Sequence, residues 1–251
     1  STNFTKVKLN ATTDLTNIDQ VIATHNAGFA VSFSQNKFYT WGTNVYLGNG
    51  TARGNRSFAT EMTNPLPAGV TPVMIDAVFH QTSGEGMAYF VLGSDKRVYA
   101  LGGGTEGVLG RNSTASATNW INVTGNNGVG VLNDAVYLSA QNTAESHPTV
   151  TVILSNGSTL AWGAAGGANQ IALGGSSTLV PRVPQGTATE FVYALDNGGH
   201  VTPMLNDKGE IGNVGHNVAG AFADGTTADR ATYSFVPLVY SAGTTDRIIS
   251  T

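Results

Sequence analysis

The chain has 251 residues and a mass of 25.9 kDa, carries 32 glycines and no cysteine, and is only 11% charged. With 41% hydrophobic residues it can build a real core, which excludes extensive disorder. A net charge of −4, with 12 Lys and Arg spread thinly, leaves no basic stripe for phosphates and argues against nucleic acid.

Without cysteine there is no disulfide framework, thiolate zinc site or thiol catalysis. No apolar run approaches the roughly 18 residues of a membrane helix, so no membrane insertion is expected. Ser1-Thr2-Asn3 is neither a signal peptide nor an initiator methionine, and the chain is expected to be cut from something longer.

Phe4 to Leu9 reads as a lone short strand, and from residue 18 a unit repeats. Its opening pairs an acid with a β-branched residue two places on, as in Asp19/Val21, Asp76/Val78, Asp134/Val136, Glu190/Val192 and Asp246/Ile248. An apolar strand follows in each of four units: Phe29 to Phe33, Tyr89 to Leu92, Val150 to Leu154 and Thr202 to Leu205. A polar turn then leads to a run ending in Trp41-Gly42, Leu101-Gly102, Trp162-Gly163 or, in a degraded copy, Val214-Gly215.

Each run is followed by Leu47-Gly48, Leu109-Gly110, Leu173-Gly174 or the weak copy Phe222-Ala223. The last strand of the later units is Trp120 to Val123, Val180 to Val183 or Phe235 to Leu238. Short β-branched or aromatic runs joined by Asn/Asp/Gly turns predict hairpins. Four strands in 56 to 58 residues is the size of one propeller blade.

The expected fold is all-β, a propeller-like array of four to five four-stranded blades, alone or within a larger ring or oligomer. Repeats are placed at approximately 18-74, 75-132, 133-188 and 189-244, with half-repeats at 1-17 and 245-251.

Trp-Gly-x-Asn, then Leu-Gly, then a Pro-containing strand, carried best by Ser34 to Gly50 and Ser155 to Pro184, resembles the RCC1 (regulator of chromosome condensation) repeat. The resemblance implies a propeller, and complete rings of that family usually carry seven blades. Guanine-nucleotide exchange or chromatin binding fits an acidic chain poorly, and no motif receives the exchange residues.

Candidate chemistry resolves into architecture. Gly102 to Gly107 satisfies G-x-G-x-x-G after a strand, but no helix follows to receive a pyrophosphate. His25, His80, His147, His200 and His216 show no metal-ligand spacing and read as surface or turn residues.

The recurring Asp19, Asp76, Asp134 and Glu190 read as strand-entry carboxylates, because a catalytic pair would break the repeat. Glu85, Glu106, Glu145 and Asp224 are the asymmetric acids a propeller lyase or glycosidase would need. The turns Asp196 to Gly199 and Asn206 to Gly209 lack calcium-loop spacing. Seven Asn-x-Ser/Thr acceptors, at Asn3, Asn10, Asn49, Asn55, Asn112, Asn122 and Asn156, matter only in an exported protein.

No catalytic, cofactor or metal site is therefore assigned. Low charge in a Thr/Asn/Gly-rich chain predicts a non-enzymatic extracellular module at a cell or virion surface. It would act in adhesion or receptor binding, with a cell-surface protein or glycan as partner, recognised by loop insertions such as Ala52 to Asn64 and Gln141 to His147. The alternative is a homo-oligomeric fibre subunit joined by strand addition through Phe4–Leu9 and Arg247–Ser250.

Overall fold

The computed structural model describes residues 5–80, 84–141, 147–166, 169–237, 239–240 and 244–245. Sixteen strands form four antiparallel meanders, each hydrogen-bonded in sequence order. Blade 1 is β1 (Gln20–Ala23), β2 (Ala27–Ser32), β3 (Lys37–Val45) and β4 (Gly54–Glu61). Blade 2 is β5 (Pro72–His80), β6 (Gly86–Gly93), β7 (Val98–Gly102) and β8 (Ala117–Asn122).

Blade 3 is β9 (Ala135–Ala140), β10 (Thr149–Leu154), β11 (Thr159–Gly163) and β12 (Thr178–Arg182). Blade 4 is β13 (Val192–Leu195), β14 (Val201–Asn206), β15 (Glu210–Gly215) and β16 (Arg230–Pro237). A two-stranded hairpin, β17 (Val239–Tyr240) and β18 (Thr244–Thr245), follows. No α-helix occurs among the described residues.

The Trp-Gly step has a backbone cause. Gly42, Gly102, Gly163 and Gly215 have φ of 104, 115, 103 and 110°, a region L side chains rarely adopt. A Cβ on any of them would stand 2.0 to 2.3 Å from a carbonyl oxygen of the neighbouring strand. That oxygen, on Asn26, Met87, Pro148 or His200, accepts the amide of the residue after the glycine. The contact recurs four times and fixes the structural equivalence of the blades.

The core lies between blades. Phe29, Val31 and Phe38 of blade 1 pack on Ile75, Tyr89 and Leu101 of blade 2. Phe90, Leu92 and Val98 of blade 2 pack on Leu138, Val150 and Trp162 of blade 3, and Ile153 of blade 3 packs on Val192, Leu195 and Met204 of blade 4. β6 and β7 are buried on both faces, whereas β4 at the margin alternates. The first strands stand side by side, β1 beside β5 and β5 beside β9, so they form the axial side of the array.

Side chains tie these first strands together. Gln20 donates its amide to the Ile75 carbonyl and accepts the Ile75 N–H, both at 3.0 Å. Asp76 Oδ2 accepts the Ala140 N–H at 2.7 Å, and Ser139 Oγ accepts the Asn197 N–H at 3.0 Å.

Three expectations change. Ala52 to Asn64 is mostly β4, whose polar alternation belongs to a marginal strand with one wet face. β5 starts at Pro72, ahead of residue 75. Val7 to Leu15 turns back on itself through Leu9 N to Thr13 O and Leu15 N to Val7 O, and Lys8 O accepts the Ala59 amide from β4. Phe4, the segment Arg247–Ser250 and the acid Asp246 lie outside the described residues.

Candidate functional site

In a four-stranded meander, the connections after the first and third strands leave at one end of the blade. Here that end carries the hairpin loops after the third strands, including 46–53, 103–116 and 216–229, which form a long-loop rim. The opposite end has tight hairpin turns, each with one residue at positive φ (Asn36, Lys96, Gly157 and Gly209), together with the blade-to-blade connections 62–71, 123–134 and 183–191. On this rim the hairpin loops can vary in sequence without disturbing the ladders.

All five histidines come from this rim. His25 and His200 lie in the connections between first and second strands, His80 ends β5, His147 precedes β10, and His216 follows β15. Their scatter within the sequence repeat comes from their lying on two kinds of connection, those after the first strands and those after the third. His200 and His216 rings are 5.5 Å apart, and His216 Nδ1 lies 3.2 Å from Asp229 Oδ2.

His80 is an exception to the surface reading, at 3% exposure with Nε2 unbonded. Burial lowers its pKa to about 4 against the pull of Glu85, keeping the ring neutral. Among the described residues no group of three His, Asp or Glu could hold a metal ion.

Glu85 explains the glycine loop. Its Oε2 accepts the amides of Gly104 and Thr105, each at 3.0 Å, so an internal carboxylate fills the anion cradle. Burial pushes its pKa up, but a bond from the Thr105 side chain together with these two amides outweighs it and holds the pKa below the usual carboxylate value. The loop makes one 3₁₀ turn, Thr105–Gly107, and then runs toward β8. The sequence signal was a cradle with no helix behind it, but its partner lies 19 residues upstream on another connection.

The other asymmetric acids are engaged as well. Glu106 accepts the Ser177 hydroxyl and latches the blade 2 rim loop to blade 3. Asp224 Oδ1 accepts the Thr226 amide at 2.9 Å, and its Oδ2 pairs with Arg230 at 2.7 Å. Glu145 lies outside the described residues, as does most of Gln141 to His147.

The recurring acids are not one position. Asp19 Oδ2 accepts the Phe33 amide, Asp134 O accepts Ser155 N, and Glu190 binds Asn206 and Lys208, all at strand entries. Asp76 instead sits mid-strand opposite Phe90. Burial raises its pKa to about 7, the amides of Ala140 and Ala77 oppose this, and nearby Asp196 adds to it.

The Asn-x-Ser/Thr pattern also has a local use. Asn10, Asn49 and Asn156 each accept, through Oδ1, the amide and hydroxyl of the residue two places on, an Asx turn. The turn at Asn206 is likewise filled from within, since its Oδ1 accepts the amides of Lys208 and Glu210. Asn197 bridges Ser139, Thr151 and Thr202 between blades 3 and 4.

These sheets, their glycine hinges and their inter-blade cores define an RCC1-like β-propeller fold. No family model matches the chain, and neither does any curated protein. Human WBSCR16 superposes with a TM-score of 0.67 at 16% identity, over 88% of this chain and 52% of its own. Prp20p from Saccharomyces cerevisiae, described with its binding to Gsp1p and histones, superposes at 0.62 and 15% identity with the same coverages. The chain spans about half the length of either, and at these identities the likeness shows the fold alone.

Proposed function

We propose that the chain is a non-enzymatic interaction module displayed at a cell or virion surface, whose long-loop rim recognises a cell-surface protein or glycan. One observation carries this reading: the longest hairpin loops, those after the third strands, gather on one rim, and Glu85, Glu106 and Asp224 there are bound internally. Such a rim offers shape and hydrogen-bonding groups, and these three acids are held by partners within the chain. The 11% charge supports the surface setting by composition.

Gsp1p and histones are partners of Prp20p. For this chain an exchange or chromatin role is the weaker proposal, because its net charge of −4 opposes binding to DNA. The test is a screen of purified, labelled chain against a glycan array and a panel of cell-surface ectodomains. Saturable binding to a defined member supports the proposal. Silence on both, or capture of a nucleotide-free small GTPase in a parallel assay, overturns it.

A further inference from the structure

Corresponding positions on the blades have unlike environments. Val21 of β1 pairs with Ala30, and its counterparts are Ile75, Leu138 and Leu195. Those three are 1%, 1% and 5% exposed because a preceding blade covers them, whereas Val21 is 57% exposed. Trp41 repeats the contrast: Leu101 and Trp162 are fully buried, and Trp162 Nε1 donates to the Val108 carbonyl of the preceding blade at 2.6 Å. Trp41 is half-buried and makes no such bond among the described residues.

The other end of the array shows the complementary half. Phe29, Val31 and Phe38 of blade 1, and Phe90, Leu92 and Val98 of blade 2, fill the interface with the next blade. Their counterparts in blade 4 are Pro203, Leu205 and Ile211. These line an open, largely apolar groove of about 220 Å³ with Ala194, Leu195, Met204 and one acid, Asp196. Val236, paired with Ile211 on the same face, is 47% exposed.

Blade 4 thus ends in the forward half of an inter-blade interface, and blade 1 begins with the rear half. The chain joins these halves three times within itself. We infer that they also join between molecules: the rear face of blade 1 in a second copy, carrying Val21 and Trp41, docks on the Pro203–Leu205–Ile211 face of blade 4.

The contact is heterologous, so it propagates as a ring or a filament. It uses sheet faces and needs neither Phe4–Leu9 nor Arg247–Ser250 as an added strand. It is independent of what the rim recognises.

The test is sedimentation velocity on the 251-residue chain from about 1 to 100 μM. The mass should grow with concentration in multiples of 25.9 kDa. Leu205→Glu blocks one face and Val21→Glu the other. Each variant alone should remain monomeric, with association weakened at least 100-fold, because a buried unpaired carboxylate is strongly disfavoured.

Mixed together, the two variants keep one good face each, so they should form 1:1 dimers that grow no further. Unchanged far-UV circular dichroism and melting show that each variant is folded. A wild-type chain that stays monomeric throughout overturns the inference. Variants that associate like wild type, or a mixture that gives no dimer, overturn it equally.

Discussion

Trp162 and Trp41 occupy one position in two blades, so the same substitution at both measures the blade interface against an internal control. Trp162→Phe removes an Nε1–H that donates to the Val108 carbonyl at 2.6 Å in a fully buried site. Leaving that carbonyl unpaired costs about 1–3 kcal/mol. The smaller ring leaves a void beside Val123 and Gly110 worth roughly another 1 kcal/mol. The expected total is about 3 kcal/mol.

Trp41→Phe loses no inter-blade bond, because its half-buried indole only covers Gly28, and should cost under about 1 kcal/mol. Urea denaturation at a concentration where the chain is monomeric gives both values. For a chain of this length, thermal midpoints should fall by about 6–12 °C and under about 4 °C. Equal losses at the two positions would refute the assignment of Trp162 to a blade interface and of Trp41 to an open face.

Gly102→Ala should be severe, costing at least about 3 kcal/mol by urea denaturation, since φ is 115° and the new Cβ would meet Met87 O at 2.1 Å. Gly130→Ala, with positive φ but open space, should cost only about 1 kcal/mol. Glu85→Ala should lower stability by about 1–3 kcal/mol and speed amide exchange at Gly104 and Thr105, which lose their acceptor.

Asp76 has a folded pKa of about 7, above its ordinary 3.8, so the native state holds this proton longer than the unfolded chain. Its contribution is full below pH 4 and is lost as pH rises toward 7. The shift sets a ceiling of about 4 kcal/mol, which partial solvent contact reduces to about 1–2. Asp76→Asn should flatten stability across that window, read by denaturation at pH 4, 5.5 and 7.

The features legible in the sequence are those that recur because the backbone demands them. Trp-Gly was visible because four glycines serve one φ near 110°. The turns were visible because each needs a residue that tolerates the left-handed region, and their spacing yielded the four-stranded unit.

What escaped depends on register or on pairing across the chain. Asp76 matched the acid period by number, yet β5 enters at Pro72 and carries it four residues inward, between blades. Ala52 to Asn64 resembled an insertion because a strand with one wet face needs few apolar residues. The histidine rim was hidden because its members sit on connections after first and third strands that only the fold brings to one end, and Glu85 because the cradle it fills lies on another loop.

Recognition by the long-loop rim is tested most directly by comparing charge changes at the two ends of the blades. Arg53→Glu and Thr114→Lys alter exposed rim residues, whereas Lys96→Glu alters an exposed turn at the opposite end. Each variant would be titrated against the array member or ectodomain that binds the wild-type chain. Rim recognition predicts at least tenfold weaker binding for the rim variants and unchanged binding for Lys96→Glu. Equal weakening by Lys96→Glu, or rim variants that bind like wild type, would contradict it.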